Sequence, residues 1–337
     1  METPCYIFNK KELQENYYKM QSNLKYCKLH YSTKANGNYK LFKILSEVDA
    51  SFEVSSLKEF KMLKKLKVKS ENIIFGLPVK SEKLISDLYE EGCRYFIFDS
   101  LYELKKINKY APNAKKILRV FMSDIINDCI PFGLHPNNIT DNIISNIDGL
   151  HFHITRNNNI DNQLEALKRI ENILVEYSLH NLILNIGGGY SLEAKEYYRI
   201  LNKKLLYLKN KYNLILLCEP GEGIIHTAGK VVTTVLLVKK YNNYVNVYLD
   251  FSEPNGLKLR PIYLSINNLR KSNKRIYYRF FDNTCKHEER FTKILDFEIC
   301  IGDKIELSPY GAYTLCLCND FHGFPKPNIY IDVNERK

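Results

Sequence analysis

The chain has 337 residues, of which 45% are hydrophobic, so it is long enough for a large barrel or for a barrel with a second domain. Its formal net charge is +11, but acidic residues lie among the lysines and no long basic block is present. We therefore expect a solvated, lysine-rich surface that favours small anions, and no nucleic-acid partner.

The cysteines and the apolar runs exclude further classes of protein. Nine cysteines are scattered without the paired spacing of a metal site, and Cys316 and Cys318, the closest pair, should face one side of a strand. We expect reduced thiols, no metal and a cytoplasmic location. No basic segment precedes an apolar run at the amino terminus, and no apolar stretch reaches membrane-spanning length, so we expect no membrane contact.

The first predicted element is a helix over residues 9–24. Asn9 and Glu12 have the spacing of a capping box. Four apolar side chains recur on one helical face: Leu13, Tyr17, Met20 and Leu24. Such a face indicates an amphipathic helix.

Eight short apolar runs follow, and each precedes a more polar, helix-like segment. The runs cover residues 29–32, 51–54, 73–75, 95–98, 117–121, 150–154, 182–186 and 214–218. Eight such units form a parallel (β/α)8 TIM-like barrel, whose active site is built by loops at the carboxyl ends of the strands. We predict this α/β barrel over residues 20–228.

From residue 229 the pattern changes to strands without intervening helices. The candidate strands cover residues 231–239, 244–251, 276–280, 304–307, 313–318 and 328–331. We predict a C-terminal all-β domain over residues 229–337, with residues 1–19 as a candidate addition to it.

Residues capable of chemistry recur where the predicted barrel strands end. Lys34, Glu53, His153, Gly187 and Glu219 each lie at or just after the end of an apolar run. Each alone has an ordinary explanation, since lysines are commonly solvated and strand-end histidines are often bonded by backbone. Together they supply an amine for a Schiff base, a ring for stacking, backbone amides for a phosphate and a carboxylate for a pyridinium, which pyridoxal phosphate requires.

The motifs around these residues resemble those of the fold-type III pyridoxal-phosphate decarboxylases. This alanine-racemase-like barrel family acts on ornithine, arginine, diaminopimelate and carboxynorspermidine, and the resemblance covers nearly the whole chain. Five motifs resemble the carboxynorspermidine branch: SSL at 55–57, DGLHFH at 148–153, NIGGG at 185–189, EPGE at 219–222 and FHGFPKP at 321–327. The resemblance implies pyridoxal 5'-phosphate as the cofactor and an amino acid as the substrate.

The resemblance assigns three catalytic roles. Lys34 carries the cofactor as a Schiff base, and Glu219 holds the pyridine nitrogen protonated. Because alanine racemases have an arginine in the position of Glu219, a carboxylate there favours decarboxylation. Cys285 protonates the carbanion carbon and enters the site from the partner subunit, which implies a homodimer with shared active sites.

The remaining cofactor contacts are also carried over from the family. His153 matches the histidine that stacks on the pyridine ring, and Tyr313 matches the tyrosine that completes the phosphate site. The other expected contacts are glycines of the two strand-end motifs: Gly187, Gly188, Gly189 and Gly221.

Two positions depart from the family near the expected substrate tail. Lys286 stands where relatives have an acid that reads a distal amine, and Arg156 follows the strand of the stacking histidine. A lysine cannot accept a salt bridge from an amine, so the tail is neutral or anionic, or is read by Glu288 or Glu289.

We predict an amino-acid α-decarboxylase acting on carboxynorspermidine, carboxyspermidine or a diamino acid in polyamine biosynthesis. Three alternatives remain open: a decarboxylase of a carboxylate-bearing natural-product or siderophore intermediate, an amino-acid racemase, and a non-catalytic binding protein related to antizyme inhibitors. Arg156 and Lys286 favour the first of these alternatives, and Glu219 disfavours the racemase.

Overall fold

The computed structural model describes residues 1–126, 130–154, 159–257 and 261–333. The chain divides into two compact units. One consists of Gln14–Ile224, and the other of Met1–Leu13 together with Ile225–Lys337.

The described residues form sixteen strands and ten α-helices. The strands are β1 (Cys5–Asn9), β2 (Lys28–Ser32), β3 (Ser51–Val54), β4 (Ile73–Phe75), β5 (Tyr95–Phe98), β6 (Lys115–Arg119), β7 (Gly149–His151), β8 (Ile183–Asn185), β9 (Ile215–Cys218), β10 (Gly229–Lys240), β11 (Val245–Leu249), β12 (Tyr263–Ile266), β13 (Arg270–Asp282), β14 (Phe291–Glu298), β15 (Lys304–Ser308) and β16 (Asn328–Asp332). The helices are α1 (Lys10–Asn23), α2 (Tyr39–Ser46), α3 (Leu57–Lys65), α4 (Glu82–Glu90), α5 (Leu101–Tyr110), α6 (Ser123–Ile126), α7 (Asp141–Ile144), α8 (Ile160–Glu176), α9 (Lys195–Tyr212) and α10 (Glu222–Ile225).

Strands β2 to β9 form a closed, all-parallel barrel in sequence order, in which β9 pairs with β2. The predicted (β/α)8 barrel with a C-terminal β domain is therefore confirmed. All eight apolar runs overlap a barrel strand, and residues that cap a helix follow several of them. For example, side-chain oxygens of Ser56, Ser81 and Ser100 accept hydrogen bonds from backbone amides of the first turns of α3, α4 and α5.

The barrel interior is apolar in its middle and polar at the carboxyl ends of its strands. Five buried side chains, one from each of five strands, form a single cluster: Ile74, Ile97, Ile117, Ile183 and Leu217. The residues that end several of these strands are buried but polar, and they include Ser32, His151 and Asn185. Because buried polar groups are costly without partners, a cluster of them at the strand ends indicates a binding site there.

The second unit contains one sheet of eight strands. Six strands follow the order β12-β15-β10-β11-β13-β14, and β1 pairs with both β10 and β16. Strand β1 is antiparallel to β10 and parallel to β16, so the amino-terminal residues belong to the β-sheet. All five residues of β1 are buried.

The strand predicted at 313–318 is wrong. Tyr313 has a left-handed backbone with φ of 52°, and a 3-10 helix follows at Leu315–Leu317. The Thr314 side chain donates a hydrogen bond to the Tyr310 carbonyl at 2.7 Å. This local bond closes a turn, where the prediction expected backbone pairing with a neighbouring strand. The expectation that Cys316 and Cys318 share a strand face is wrong for the same reason.

In the part of the chain that the structure describes, we find no helix with the length and apolarity needed to span a bilayer.

Candidate active site

The turn that carries Lys34 packs against the loop after β9. Lys34 is exposed and lies in a 3-10 turn, Thr33–Ala35, directly after β2. The amide of Ser32 donates to the Pro220 carbonyl at 3.1 Å. A Cβ added to Gly221 would lie 2.9 Å from Cβ of Ala35, so only glycine allows this close approach. The sequence motif that contains Glu219 therefore also positions the Lys34 turn.

Glu219 is buried one residue after β9, and it faces two side chains of neighbouring strands. Nδ2 of Asn185 donates to Oε1 of Glu219 at 2.6 Å. Nε2 of His151 lies 3.4 Å from Oε2 of the same carboxylate. Burial alone would raise the pKa of Glu219. His151, Lys34 and Asn185 lower the pKa by more than burial raises it, to about 2. The carboxylate is therefore ionised at neutral pH.

A second buried carboxyl group, Glu53, lies one residue before the end of β3. Ser32 donates to its Oε2 at 2.5 Å, and a Cβ added to Gly76 would lie 1.8 Å from its Oε1. Burial, and then the negative charge of Glu219, raise the pKa of Glu53 to about 7. The two carboxyl groups thus have opposite protonation tendencies, as acid and base pairs in active sites do.

Replacing Glu53 by glutamine is expected to stabilise the cofactor-free protein at pH 8 and to change little at pH 4. The folded-state pKa of about 7 exceeds the unfolded value of 4.5, so stability is present below pH 4.5 and is lost as the pH rises to about 7. The loss is on the order of 3 kcal/mol, and glutamine avoids it. Urea unfolding at both pH values measures the difference.

Glu165→Gln, at an exposed position, is the matched control and should shift the free energy of unfolding by less than about 0.5 kcal/mol. If Glu53→Gln changed the free energy of unfolding equally at pH 4 and pH 8, ionisation of Glu53 would not be the cause.

His153 and the glycine run contact each other at the ends of β7 and β8. The Gly188 amide donates to Nδ1 of His153 at 3.2 Å, and the Gly187 amide donates to Oδ1 of Asn185 at 3.0 Å. Gly187 has a φ of 67°, and a Cβ added to Gly188 would lie 2.4 Å from the Glu219 carbonyl. Glycine is thus needed at Gly187 and Gly188 for the backbone to pass these neighbours. The predicted phosphate binding by Gly187, Gly188, Gly189 and Gly221 stays a prediction.

The other predicted residues lie in the second unit. Cys285 and Lys286 are exposed between β13 and β14, and Tyr313 is partly buried. Oε2 of Glu289 accepts a hydrogen bond from Nε of Arg279 at 2.7 Å. Arg156 lies outside the described residues.

Several polar neighbours of the site were not predicted. His151 and Asn185 are partners in the register of β7 and β8, and Arg119 is the partner of His151 in β6. The signal for His151 was present, because residues two apart on a strand share a face and His153 was already a candidate. Arg119 had no comparable signal, since a lone arginine at a strand end is commonly solvated.

The barrel, the strand-end lysine and the ionised carboxylate define an enzyme of the pyridoxal-phosphate class built on a (β/α)8 barrel. Residues 10–226 match the model of the family described as pyridoxal-dependent decarboxylase, pyridoxal binding domain. The chain therefore belongs to this family and is a pyridoxal-phosphate-dependent carboxy-lyase. The family predicted from the motifs is confirmed, and its carboxynorspermidine branch stays a prediction.

Relatives of this chain include enzymes and one inhibitor-type protein. The lysine/ornithine decarboxylase of Selenomonas ruminantium is 24% identical over 345 residues, which cover 96% of this chain and 88% of that protein. Antizyme inhibitor 2 of Xenopus laevis is 21% identical over 342 residues, covering 89% and 74%. The solved structure of Paramecium bursaria Chlorella virus arginine decarboxylase superposes with a TM-score of 0.90 at 21% identity, covering 98% and 97%.

The residues at the strand ends fit a polar ligand such as pyridoxal phosphate. Buried polar atoms flanking Lys34 and Glu219 have no hydrogen-bond partner among the described residues: Nδ1 of His30, Oγ1 of Thr33 and Nδ1 of His151. Buried groups of this kind normally have partners in a native protein. A bound ligand with polar substituents would supply them.

Proposed function

We propose that this chain decarboxylates an L-amino acid at the carboxyl end of its barrel, with Lys34, Glu219 and Cys285 in the central roles. The observation that carries the proposal is the buried Glu219 carboxylate, kept ionised beside the Lys34 turn. An ionised carboxylate at a pyridine nitrogen favours the protonated ring, which decarboxylation requires.

The proposed chemistry divides between the cofactor and the chain. Pyridoxal phosphate, when bound, supplies an electron sink for the electron pair that remains as carbon dioxide leaves. Lys34 would hold the cofactor through its amine, Glu219 would accept a hydrogen bond at the ring nitrogen, and His153 would orient the ring. The Cys285 thiol would return a proton to carbon.

We further propose a cytoplasmic homodimer in which Cys285 reaches the site of the partner subunit. The exposed position of Cys285 supports this proposal, because a thiol buried in its own subunit could not reach a second one. The eight cysteines of the described residues are all free thiols, as in proteins of reducing compartments.

For the substrate we propose carboxynorspermidine, carboxyspermidine or a related diamino acid of polyamine biosynthesis. The sequence motifs support this choice, and the relatives named above include decarboxylases of basic amino acids. The test is a carbon-dioxide release screen of the cofactor-loaded protein with carboxynorspermidine, carboxyspermidine, ornithine, lysine, arginine and diaminopimelate.

We expect release with at least one of the two carboxy-polyamines. Formation of the mirror-image amino acid without release of carbon dioxide would identify a racemase. A protein that binds no cofactor would instead match the antizyme-inhibitor alternative.

An ion pair favours a second candidate, a substrate with a carboxylate-bearing or uncharged tail. Lys286 forms a salt bridge with Glu253, and Nη1 of Arg290 lies 3.3 Å from the same carboxylate. Glu253 and Lys286 line a cavity of about 330 Å³, together with Pro254, Asn319 and Phe321. Since two cations neutralise Glu253, a substrate ammonium group gains little attraction there.

Replacing Lys286 by alanine tests this second candidate. If a carboxylate tail binds at Lys286, the variant raises KM for an acidic substrate by roughly tenfold and leaves KM for a diamine precursor unchanged or lower. Lys274→Ala, another exposed lysine, is the control. If Lys286→Ala and the unmodified chain have equal KM values with both substrates, this second candidate is contradicted.

A further inference from the structure

His151 is a buried histidine to which the chemistry described so far gives no role. Only 2% of its surface is exposed, and its Nδ1 has no hydrogen-bond partner among the described residues. The acidic group that faces its ring is Glu219, with Nε2 3.4 Å from Oε2. Burying an imidazole is costly unless its N–H group meets an acceptor, so the carboxylate that faces Nε2 can account for the position of His151.

The backbone brings His151 and Asn185 side by side against Glu219. Strands β7 and β8 pair with His151 opposite Asn185 and with Gly149 opposite Ile183. A Cβ added to Gly149 would lie 2.6 Å from the Ile183 carbonyl, so glycine allows the two strands to approach closely. The two side chains therefore face one carboxylate from adjacent strands, one for each oxygen.

We infer that His151 is a positioning residue that donates its Nε2 proton to Oε2 of Glu219, while Asn185 holds Oε1, so that the carboxylate stays ionised and correctly aimed. The inference rests on the proposed role of Glu219 at the pyridine nitrogen, and it adds the group that keeps Glu219 able to fill that role. A neutral imidazole has one N–H donor, and a carboxylate is the acceptor that it faces.

The electrostatics of the neighbourhood are consistent with this geometry. Burial lowers the pKa of His151 more than Glu219 raises it, so the ring is neutral at pH 7. The charged and titratable groups that interact with His151 or with Glu219 include His30 on β2, Lys34 after β2, Glu53 on β3, Arg119 on β6 and His153 after β7. Without the ring, burial would act on Glu219 with less opposition, and its carboxyl would take up a proton at higher pH.

His151→Phe removes the donor and keeps a ring of similar size. We expect kcat to fall by about 10- to 100-fold with little change in KM, which is the range for partners that orient a functional group. We also expect the acid limb of the pH profile of kcat to move to higher pH, because Glu219 takes up a proton at higher pH once the ring is removed. His151→Gln, which places an amide N–H where Nε2 lies, should restore most of the rate.

A readout that does not depend on turnover is the ¹⁵N chemical shift of bound pyridoxal phosphate labelled at its ring nitrogen. In the unmodified chain this shift should report a protonated nitrogen, and in Glu219→Gln an unprotonated one. In His151→Phe the nitrogen should lose its proton at lower pH than in the unmodified chain. Tyr197→Phe, which removes a buried hydroxyl on α9 and keeps the ring, controls for the loss of a buried polar group outside the site.

The outcomes separate the two proposals. If Glu219→Gln leaves the nitrogen shift unchanged, the proposed role of Glu219 is wrong. If Glu219→Gln changes the shift but His151→Phe does not, or if Tyr197→Phe has the same effect as His151→Phe, the inference about His151 alone is overturned. Failure of His151→Gln to restore the rate and the shift, with the protein folded, would also contradict it.

Discussion

Replacing Lys34 by alanine is expected to prevent covalent attachment of pyridoxal phosphate and to lower the rate of decarboxylation by at least about 10³-fold. Lys34 is exposed in the turn after β2, so its amine is accessible to the aldehyde of the cofactor. The same exposure means that the substitution removes no core packing, so the variant should still fold.

Three measurements check this expectation on the same preparation. Mass spectrometry after borohydride reduction should show cofactor attached to the unmodified chain and absent from Lys34→Ala. Carbon-dioxide release gives the rate, and urea unfolding shows whether the variant is folded.

Lys43→Ala is the matched control, because Lys43 is an exposed lysine on α2, close to Lys34 in sequence. Normal turnover by Lys34→Ala would refute the proposed function, and attachment at another lysine would move the role to that residue.

The barrel was predictable from sequence because its units are local. Each run of apolar residues lies next to the helix that covers it, and the serine caps mark where the helices begin. The second unit was less predictable because its pairing is not local. Strand β1 pairs with β10 and β16, which are hundreds of residues away, and β14 was missed although it pairs along β13.

The site shows the same division between local and non-local information. Lys34, His153 and Glu219 could be selected because each follows a strand directly, which a single sequence displays. Their partners depend on register between strands: Asn185 meets Glu219 only because β8 and β9 are neighbours in the closed barrel. Sequence does not encode that contact as a spacing, so the carboxylate was predicted and its partners were not.

A second large effect, on the free energy of unfolding, is expected at Lys80, a buried lysine outside the candidate active site. Its side chain has no exposed surface, and its Nζ donates to the carbonyls of Leu77, Pro78 and Ile97 at 2.7–3.0 Å. The same Nζ lies 3.2 Å from Oε2 of Glu103 on α5, which is also buried. Burial lowers the pKa of Lys80 to about 8, which still leaves it mostly protonated at pH 7.

Lys80→Met is expected to lower the free energy of unfolding by about 3–5 kcal/mol, because it leaves Glu103 and the backbone carbonyls without their buried cation. Lys106 also pairs with Glu103 and offsets part of that loss, which places the expectation nearer the lower figure. Urea unfolding of the cofactor-free protein at pH 7 measures the change. Lys83→Met, at an exposed lysine paired with Asp87 on α4, is the control and should leave the free energy of unfolding nearly unchanged.

A double-mutant cycle separates the ion pair from the hydrogen bonds to the loop. If the Lys80–Glu103 charge pair dominates, Lys80→Met in a Glu103→Met background should cost much less than in the unmodified chain, since no buried anion is left behind. If the cost is the same in both backgrounds, the carbonyls of Leu77, Pro78 and Ile97 carry the effect. In that case Lys80 acts by holding the loop after β4 against β5. A cost of Lys80→Met below about 1 kcal/mol in the unmodified chain would contradict both accounts.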